Sequence, residues 1–364
     1  MTRPIPSADF VAAAPDRVTS VAAGLPDAID VVAAGAASTH RFLRARWFAA
    51  AVETYGGDPR TVLVHEEGVA VAALPIVARG PRALGLVAVP GSYWPFRSVP
   101  MSLSASAGVP AALLGGLATV ARGVRIGPVY DDDPGVAALI AAARAGGWAV
   151  LDRWVAESWL LDMAAERRAG VWPRLSTLRK NRFHEKHLAA HGALDWRFLH
   201  DGDWPAGFAE LGEIEACSWV ATQTDGRDAK FTAAGHLAFW QAAARDPVLA
   251  AMFHAAVLRV DGTPAAFSFD LDAGATKYAI ANSYVPTFAK HSPGKLLYWR
   301  NLVDALDRGI ARVDWGAGDS GYKQVIGAAP GPAIRDWLLL RPGLPAAAGR
   351  ALAWGWRWSG ERPG

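Results

Sequence analysis

A pattern repeated at a constant spacing constrains this 364-residue chain more than any other feature. Residues 62–80 and 256–274 each contain two apolar runs around an acidic residue and a glycine, Glu67-Gly68 and Asp261-Gly262. These turn glycines, and a second glycine at the end of each copy, are 194 residues apart (262 − 68 and 274 − 80). Such a pair between apolar runs predicts a β-hairpin. We therefore expect equivalent hairpins in two copies of one fold.

The features that flank the hairpins recur in the same order. Trp47 and Trp240 precede them within alanine-rich segments, and Ser-Tyr-x-Pro segments follow at 92–95 and 283–286. Each half then ends with a helix and late strands. We predict a helix over 134–145 and strands over 148–151, 157–161, 310–315 and 334–340. Hairpins combined with crossover helices predict a mixed α/β sheet.

The amino-acid composition excludes several classes of protein. Hydrophobic residues make up 52% and charged residues 20%, which excludes a disordered chain. The net charge of +3 is too small to indicate a nucleic-acid binder by itself. The single cysteine, Cys217, excludes an intrachain disulfide framework and a multi-cysteine metal site. With no signal-peptide pattern and no apolar run of bilayer length, we expect a soluble cytoplasmic protein.

The most informative motif is the run Lys290-His291-Ser292-Pro293-Gly294-Lys295. Ser292 is a favourable N-cap residue, Pro293 suits the first helical position, and apolar residues then recur at helical spacing. The free N–H groups of a helix start suit a phosphate, and Gly294 would let a ligand approach the backbone closely. Lys290 and Lys295 add positive charge. The alternative is an ordinary capped helix with solvated lysines.

A second motif, residues 314–323, is a glycine-rich loop directly after a predicted strand. Loops at the carboxyl ends of strands commonly build sites in α/β sheets. Asp314 and Asp319 are candidate proton acceptors, Tyr322 is a candidate donor, and Lys323 is a candidate ligand of an anion. A turn with solvated polar residues is the alternative.

Taken together, these motifs resemble those of the CelD-like GNAT-type acyltransferases, which are relatives of the Fem-type aminoacyltransferases of peptidoglycan synthesis. The resemblance rests on residues 214–219 (Ile-Glu-Ala-Cys-Ser-Trp), 261–262, 292–297, 318–323 and the basic segment 175–182. It implies two tandem GNAT domains with acyl-coenzyme A as donor and its pyrophosphate at Ser292, Pro293, Gly294 and Lys295. The usual GNAT phosphate loop has a spaced Gly-x-Gly pattern, whereas this chain has Gly294 alone.

The resemblance also implies a domain organisation. We expect a first GNAT-like domain with a degenerate donor site over residues 1–163 and a basic helical linker over 164–192. A second GNAT domain with the acyl-donor site then covers 193–342, and a Trp/Arg-rich tail covers 343–364.

The predicted reaction transfers an acyl group to an amine of a small molecule, a sugar or a cell-envelope precursor. Asp314, Glu215 and Asp319 are candidate bases, Tyr322 is the candidate acid, and Tyr284 and Lys323 are expected to contact substrate. Two alternatives stay open: an aminoacyl-tRNA donor, as in Fem-type enzymes, and a non-catalytic binding subunit of an envelope polysaccharide system.

Three further groups of residues carry charge or aromatic rings. The linker carries seven cations between 167 and 186, including Arg179, Lys180 and Arg182, which form either a platform for an anionic partner or a solvated helix face. Histidines at 184, 187 and 191 share a helix face but lack the H-E-x-x-H pattern, so we expect no metal. The tail tryptophans 354, 356 and 358 with nearby arginines indicate packing across the domains or contact with a membrane surface.

Overall fold

The computed structural model describes residues 16–92, 94–218, 220–221, 229–233, 235–318 and 322–359. Its strands are β1 (Arg17–Ala23), β2 (Pro59–Glu66), β3 (Val69–Ala78), β4 (Leu86–Ala88), β5 (Gly123–Tyr130), β6 (Ala149–Asp162), β7 (Leu194–His200), β8 (Phe253–Val260), β9 (Thr263–Ala273), β10 (Thr276–Tyr284), β11 (Arg312–Ala317) and β12 (Ala329–Leu340). Its α-helices are α1 (Ala28–Gly35), α2 (Ala45–Tyr55), α3 (Val109–Val120), α4 (Pro134–Ala145), α5 (Met163–Arg168), α6 (Leu175–Leu188), α7 (Ala206–Ala216), α8 (Leu237–Ala243), α9 (Pro247–Met252), α10 (Pro293–Asp307), α11 (Tyr322–Val325) and α12 (Leu344–Trp358).

All the described strands belong to one sheet, whose order is β1-β2-β3-β4-β5-β12-β6-β11-β10-β9-β8-β7. Inward from one edge, β1 to β4 pair antiparallel and β4 pairs parallel with β5. Inward from the other edge, β7 to β10 pair antiparallel and β10 pairs parallel with β11. The strand order of one half is therefore repeated in the other, as the sequence repeat predicts.

The two predicted hairpins are confirmed as β2–β3 and β8–β9. Their turns have the same backbone geometry: φ is 50° at Glu67 and 78° at Gly68, and 47° at Asp261 and 72° at Gly262. Positive φ at both central residues is the mark of a type I′ turn, whose twist matches that of the flanking strands. Acidic-Gly pairs suit this turn because glycine has no Cβ and aspartate tolerates the left-handed region better than most residues.

The centre of the sheet is formed by strands from both halves of the chain. β12 lies between β5 and β6, antiparallel to each, and β6 pairs on its other side with β11. The prediction of separate strands over 148–151 and 157–161 is wrong, because β6 runs unbroken from Ala149 to Asp162 with β12 beside it. The C-terminal strand thus completes the sheet next to the first half, which joins the halves into one continuous sheet.

Helices from both halves pack together near the middle of the molecule. α2 and α8, which precede the two hairpins, lie against each other, and their residues Trp47 and Trp240 are fully buried. The predicted helix over 134–145 is confirmed as α4, with Asp133 accepting a hydrogen bond from the Val136 N–H as its cap. Within the described ranges, no helix combines the length and the apolar character needed to cross a bilayer.

Candidate active site

The candidate site lies where two parallel strands separate. β10 and β11 pair only from Thr276/Arg312 to Tyr278/Asp314, although β10 continues to Tyr284. The pairing of β10 with β9 is irregular between Ala279 and Ala281, just past the last residue that pairs with β11. A cleft therefore opens between the strands beyond Tyr278, with Asp314 at its closed end.

The segment that leads from β10 into α10 borders this cleft. It makes a turn of 3-10 helix over Pro286–His291, and α10 begins at Pro293, in the predicted first position. The prediction that the Ser292 side chain caps the helix is wrong. Ser292 adopts a left-handed conformation (φ 53°, ψ 47°), and its backbone carbonyl accepts from the N–H groups of Lys295 and Leu296. This left-handed residue joins the 3-10 turn directly to α10, and its side chain makes no capping hydrogen bond.

Gly294 is required by packing within the protein. It is buried, and a Cβ at this position would lie 3.0 Å from Asn282 Oδ1 and 3.3 Å from Tyr284 Cδ1. The missing Cβ at Gly294 thus makes room for the side chains at the end of β10, and a ligand's approach to its backbone stays a prediction. Tyr284, a predicted substrate contact, is half-buried beside the helix start.

Positive charge gathers around the helix start from two parts of the chain. Lys290 and Lys295 are exposed, and α6 packs beside the 286–291 turn and α10. Burial, and then the charges of Lys180 on α6 and Lys295 on α10, lower the pKa of His184, so these cations share one neighbourhood. The predicted basic linker and the predicted donor loop are thus brought together.

Helix α6 keeps most of its charge available to solvent. Its side chains at Arg179, Lys180 and Arg182 are exposed, and its one acidic residue, Glu185, pairs with Arg300 of α10. At the end of the linker, His191 Nε2 lies 2.9 Å from His291 Nε2. Burial, followed by His191 and Lys290, lowers the pKa of His291. This pair of imidazoles connects the end of the linker to the donor loop.

Asp314 is the most perturbed carboxyl group at the cleft. It is buried, and its Oδ1 accepts a hydrogen bond from the Gly316 N–H at 2.6 Å. Burial raises the pKa of Asp314 to about 6, while that N–H, Tyr130 and Lys323 oppose the rise. A carboxyl group with such a pKa is ionised at neutral pH and still basic enough to accept a proton.

Lys323 is engaged with the loop itself. Its buried Nζ donates to the backbone carbonyls of Trp315 and Ala317, each at 3.1 Å, and also to that of Gly318. A single ammonium group therefore holds the glycine-rich loop in shape. The prediction that Lys323 contacts a substrate anion does not fit this placement, because carbonyl oxygens already surround the charge.

The remaining candidate acid and base residues are Asp319, Tyr322 and Glu215. The Asp319 residue and the Tyr322 side chain lie outside the described residues, although the backbone of Tyr322 begins α11. Glu215 is buried on α7, and its carboxylate accepts from the backbone N–H groups of Lys230 and Phe231 at 2.7–2.9 Å. Burial raises the pKa of Glu215. Its contacts tie α7 to the 229–233 segment.

Several residues near Asp314 were not anticipated from the sequence. Tyr130, at the end of β5, and Tyr278, on β10, both interact with Asp314, and burial raises the pKa of each phenol. Asp132 follows β5, and its charge raises the pKa of Asp314 further. The run Asp131-Asp132-Asp133 directly after a strand was the available signal.

Trp94, from the first Ser-Tyr-x-Pro segment, packs over Gly316, so the first half supplies one wall of the cleft.

The equivalent place in the first half is built differently. No helix starts at 98–101, since α3 begins only at Val109. The Arg97 guanidinium points toward the backbone carbonyls of Ser92 and Gly127, at 3.3 and 3.5 Å. Among the described residues, no cluster of three or more histidine, cysteine or acidic side chains is arranged to hold a metal ion.

Comparison with known proteins agrees with this geometry. Residues 176–324 match the family described as the acetyltransferase (GNAT) domain. This part of the chain is a GNAT domain. It contains the divergent strands, α10 and Asp314, so the recognition of a GNAT-type acyltransferase is confirmed. A search of the curated proteins finds no match.

The likeness to solved structures extends over both halves. FemX is 10% identical, with a TM-score of 0.55 over 85% of this chain and 93% of its own. The C-terminal domain of a protein from Agrobacterium fabrum, assigned as a lysylphosphatidylglycerol synthetase, is 14% identical, with a TM-score of 0.51 over 93% of this chain and 98% of its own. The predicted mixed α/β fold with two GNAT-like halves is confirmed by this shared fold and by the repeated strand order.

Proposed function

We propose that the protein is an acyl-CoA-dependent N-acyltransferase whose donor binds at the cleft between β10 and β11. The observation that carries the proposal is the placement of Asp314, a buried carboxyl group with a pKa of about 6, at the point where these strands diverge. The cation-rich start of α10 follows β10 in the chain, so one strand connects the proposed phosphate site with the cleft.

The donor's phosphates are assigned to the start of α10. Its first N–H groups and the positive end of the helix dipole favour an anion. Lys295 and Lys290 are exposed at this place, and Lys180 approaches from α6. The acyl group would then extend into the cleft toward Asp314.

The chemistry assigned to the cleft is direct transfer. Asp314 takes a proton from the acceptor's ammonium group, and the neutral amine attacks the thioester carbonyl. A C–N bond forms and the C–S bond breaks. The attacking nitrogen gives up its second proton to solvent, and the thiolate leaves with a proton supplied by an acid, for which Tyr322 remains the candidate. Backbone N–H groups of β10 beyond Tyr278, where pairing with β11 has ended, are suited to stabilise the oxyanion.

A second donor class is favoured by one observation, the exposed cationic face of α6 beside the donor loop. Such a face suits a polyanion as well as a pyrophosphate. An aminoacyl-tRNA would bring an ester in place of the thioester, with the same attack by an amine. The likeness to FemX concerns the fold alone, and the acceptor, whether a sugar amine or an envelope precursor, is suggested by the family resemblance.

The deciding experiment is calorimetric titration of the purified protein with acetyl-coenzyme A and, separately, with aminoacylated and uncharged tRNA. A charge-assisted contact contributes about 1.5–3 kcal/mol, so Lys295→Ala should weaken coenzyme A binding roughly 10- to 150-fold. Arg60→Ala, a cation-to-alanine change at an exposed position of β2, is the matched control and should have no effect. Saturable tRNA binding without coenzyme A binding would show that aminoacyl-tRNA, and not acyl-coenzyme A, is the donor.

Turnover separates an enzyme from a binding subunit. Release of free thiol from acetyl-coenzyme A is followed with a panel of amino sugars, amino acids and peptides. Coenzyme A binding without thiol release for any acceptor, and without transfer from charged tRNA, would overturn the catalytic proposal.

A further inference from the structure

Helix α12 presents an apolar face that the rest of the described protein leaves uncovered. Its inner side packs on the sheet, where Ala346 and Gly349 are buried near Leu151 and Leu340. Successive residues of a helix are 100° apart, so Leu344, Leu352, Trp354 and Trp358 project from the other side. Leu344 is 87% exposed and Trp354 is 70% exposed. Large exposed apolar patches of this kind mark interaction surfaces.

The charged residues of α12 itself have one sign. Residues 344–358 contain no acidic residue, and their charged residues are Arg350 and Arg357, both exposed along one flank. Arg350 Nη2 donates to the backbone carbonyl of Gly147 at 3.1 Å, and Arg357 Nη2 lies 3.4 Å from Asp152 Oδ1. These contacts hold the stems of both arginines beside the helix. The uncovered face is thus apolar in its middle and cationic at its flank.

The apolar surface continues beside the helix. A pocket of about 820 Å³ lies between α12 and the strands, with Leu84, Leu86, Leu338 and Leu352 in its wall. Arg122 and Arg341 also line it. The second flank of α12 therefore repeats the combination of leucine side chains with arginine.

We propose that α12 docks the protein on the surface of an anionic lipid bilayer. Tryptophan favours the level of the lipid headgroups, where its ring is buried and its N–H stays hydrated. The indoles of Trp354 and Trp358 lie side by side on this face, with centroids 5.0 Å apart. A helix with leucine and tryptophan on one face and arginine beside it binds in the plane of the interface, and the arginines attract anionic headgroups.

A second copy of this chain fits the face less well. A two-fold interface brings the same patch of both subunits together. Pairing α12 with α12 would bring arginines 350 and 357 of one copy close to those of the other, without acidic residues of α12 to offset them. The anionic bilayer supplies the complementary charge that the second copy lacks.

The test is co-sedimentation of the full chain with vesicles of phosphatidylcholine alone and of phosphatidylcholine with 30% phosphatidylglycerol. We expect binding to the anionic vesicles, with a blue shift of tryptophan fluorescence. Replacing both arginines (R350Q/R357Q) should weaken this binding about 30-fold, or roughly 5-fold for each cation. Trp354→Ala combined with Trp358→Ala should also weaken binding to the anionic vesicles and remove the blue shift, because the inserted rings are lost.

Leu103→Ala removes an exposed apolar side chain outside α12 and is the matched control. It should bind anionic vesicles as the unaltered chain does. The altered side chains of α12 are exposed, so thermal unfolding of each variant should stay unchanged. Equal binding by all variants, or no binding to anionic vesicles at millimolar lipid, would overturn the proposal. So would a stable dimer in light scattering that the double tryptophan variant converts to monomer.

Discussion

The indole rings of Trp47 and Trp240 meet edge to face, with centroids 6.1 Å apart and planes inclined at 68°. The two residues are 193 positions apart (240 − 47), within one residue of the offset between the hairpins. They lie on α2 and α8, the equivalent helices of the two halves. The repeat therefore supplies each half with a helix that packs against its own counterpart, and the same residue type forms the contact from both sides.

Trp47→Ala should destabilise the protein by about 3–5 kcal/mol, because it leaves a cavity in a close-packed aromatic cluster. The Trp47 ring also contacts Phe42, Phe96 and Phe239, with centroids 4.9–5.9 Å away. Urea unfolding followed by circular dichroism measures the change. Leu103→Ala, at an exposed position, should change the free energy of unfolding by less than about 0.5 kcal/mol. Similar values for both variants would show that the Trp47 contact does not hold the halves together.

The features that the sequence predicts well are those decided by a few neighbouring residues. The turns at Glu67-Gly68 and Asp261-Gly262 follow from the need for positive φ at two consecutive positions. Helix α4 follows from a capping aspartate, a proline at its start and apolar residues at helical spacing. The basic linker helix is equally local, since α6 covers the segment 175–182 together with His184 and His187. His191, predicted on the same helix, lies in the 3-10 turn that follows.

Features decided by distant residues could not be predicted in this way. β12 pairs with β5 and β6, from 169 (329 − 160) to 217 (340 − 123) residues away, and no local pattern specifies such partners. The residues around Asp314 could not be predicted for the same reason. Tyr130 and Asp132 belong to the first half and lie far from Asp314 in the sequence. The left-handed backbone of Ser292 depends on how the 3-10 turn meets α10, which is a property of packing.

Lys277→Met should destabilise the protein by about 3–5 kcal/mol, because it leaves the buried carboxylate of Asp270 without its cation. Lys277 is fully buried at the start of β10, and its Nζ lies 3.1 Å from Asp270 Oδ2 and 2.9 Å from Asp272 Oδ1. Asn301 of α10 donates to Asp270 at 2.6 Å, so this network fixes the helix to the strands that form the cleft. Denaturant unfolding and a binding titration with acetyl-coenzyme A measure both effects.

The double variant Lys277→Met/Asp270→Leu is the control for this network. Replacing both partners with apolar side chains removes the uncompensated charge, and Asp272 keeps its pair with Arg308. It should therefore recover much of the stability that Lys277→Met loses. If the double variant is no more stable than Lys277→Met, the stability lost in the single variant comes from packing and not from the unpaired charge.

Asp314 should make the folded state less stable as the pH rises from about 4 to about 6. Its folded pKa of about 6 lies above the ordinary value of 3.8, so the folded state holds the proton more tightly than the unfolded chain does. The stability from this proton is complete below pH 4 and is lost as the pH passes 6. In Asp314→Asn, the free energy of unfolding should fall less over this range. Asp307→Asn, the same change at an exposed site, should keep the slope of the unaltered chain.

Asp314→Asn should also lower the turnover number by about 10²- to 10⁴-fold while leaving donor affinity nearly unchanged. A positioned proton acceptor contributes that factor by acting on the transition state, whereas the donor's phosphates are held at the start of α10. In the unaltered enzyme the turnover number should rise with pH through about 6, as Asp314 ionises. The variant should lose this rise, and Asp307→Asn should retain it. A small loss with the rise intact would reduce Asp314 to holding the loop through its bond with the Gly316 N–H, and Asp132 would become the next carboxyl group to test.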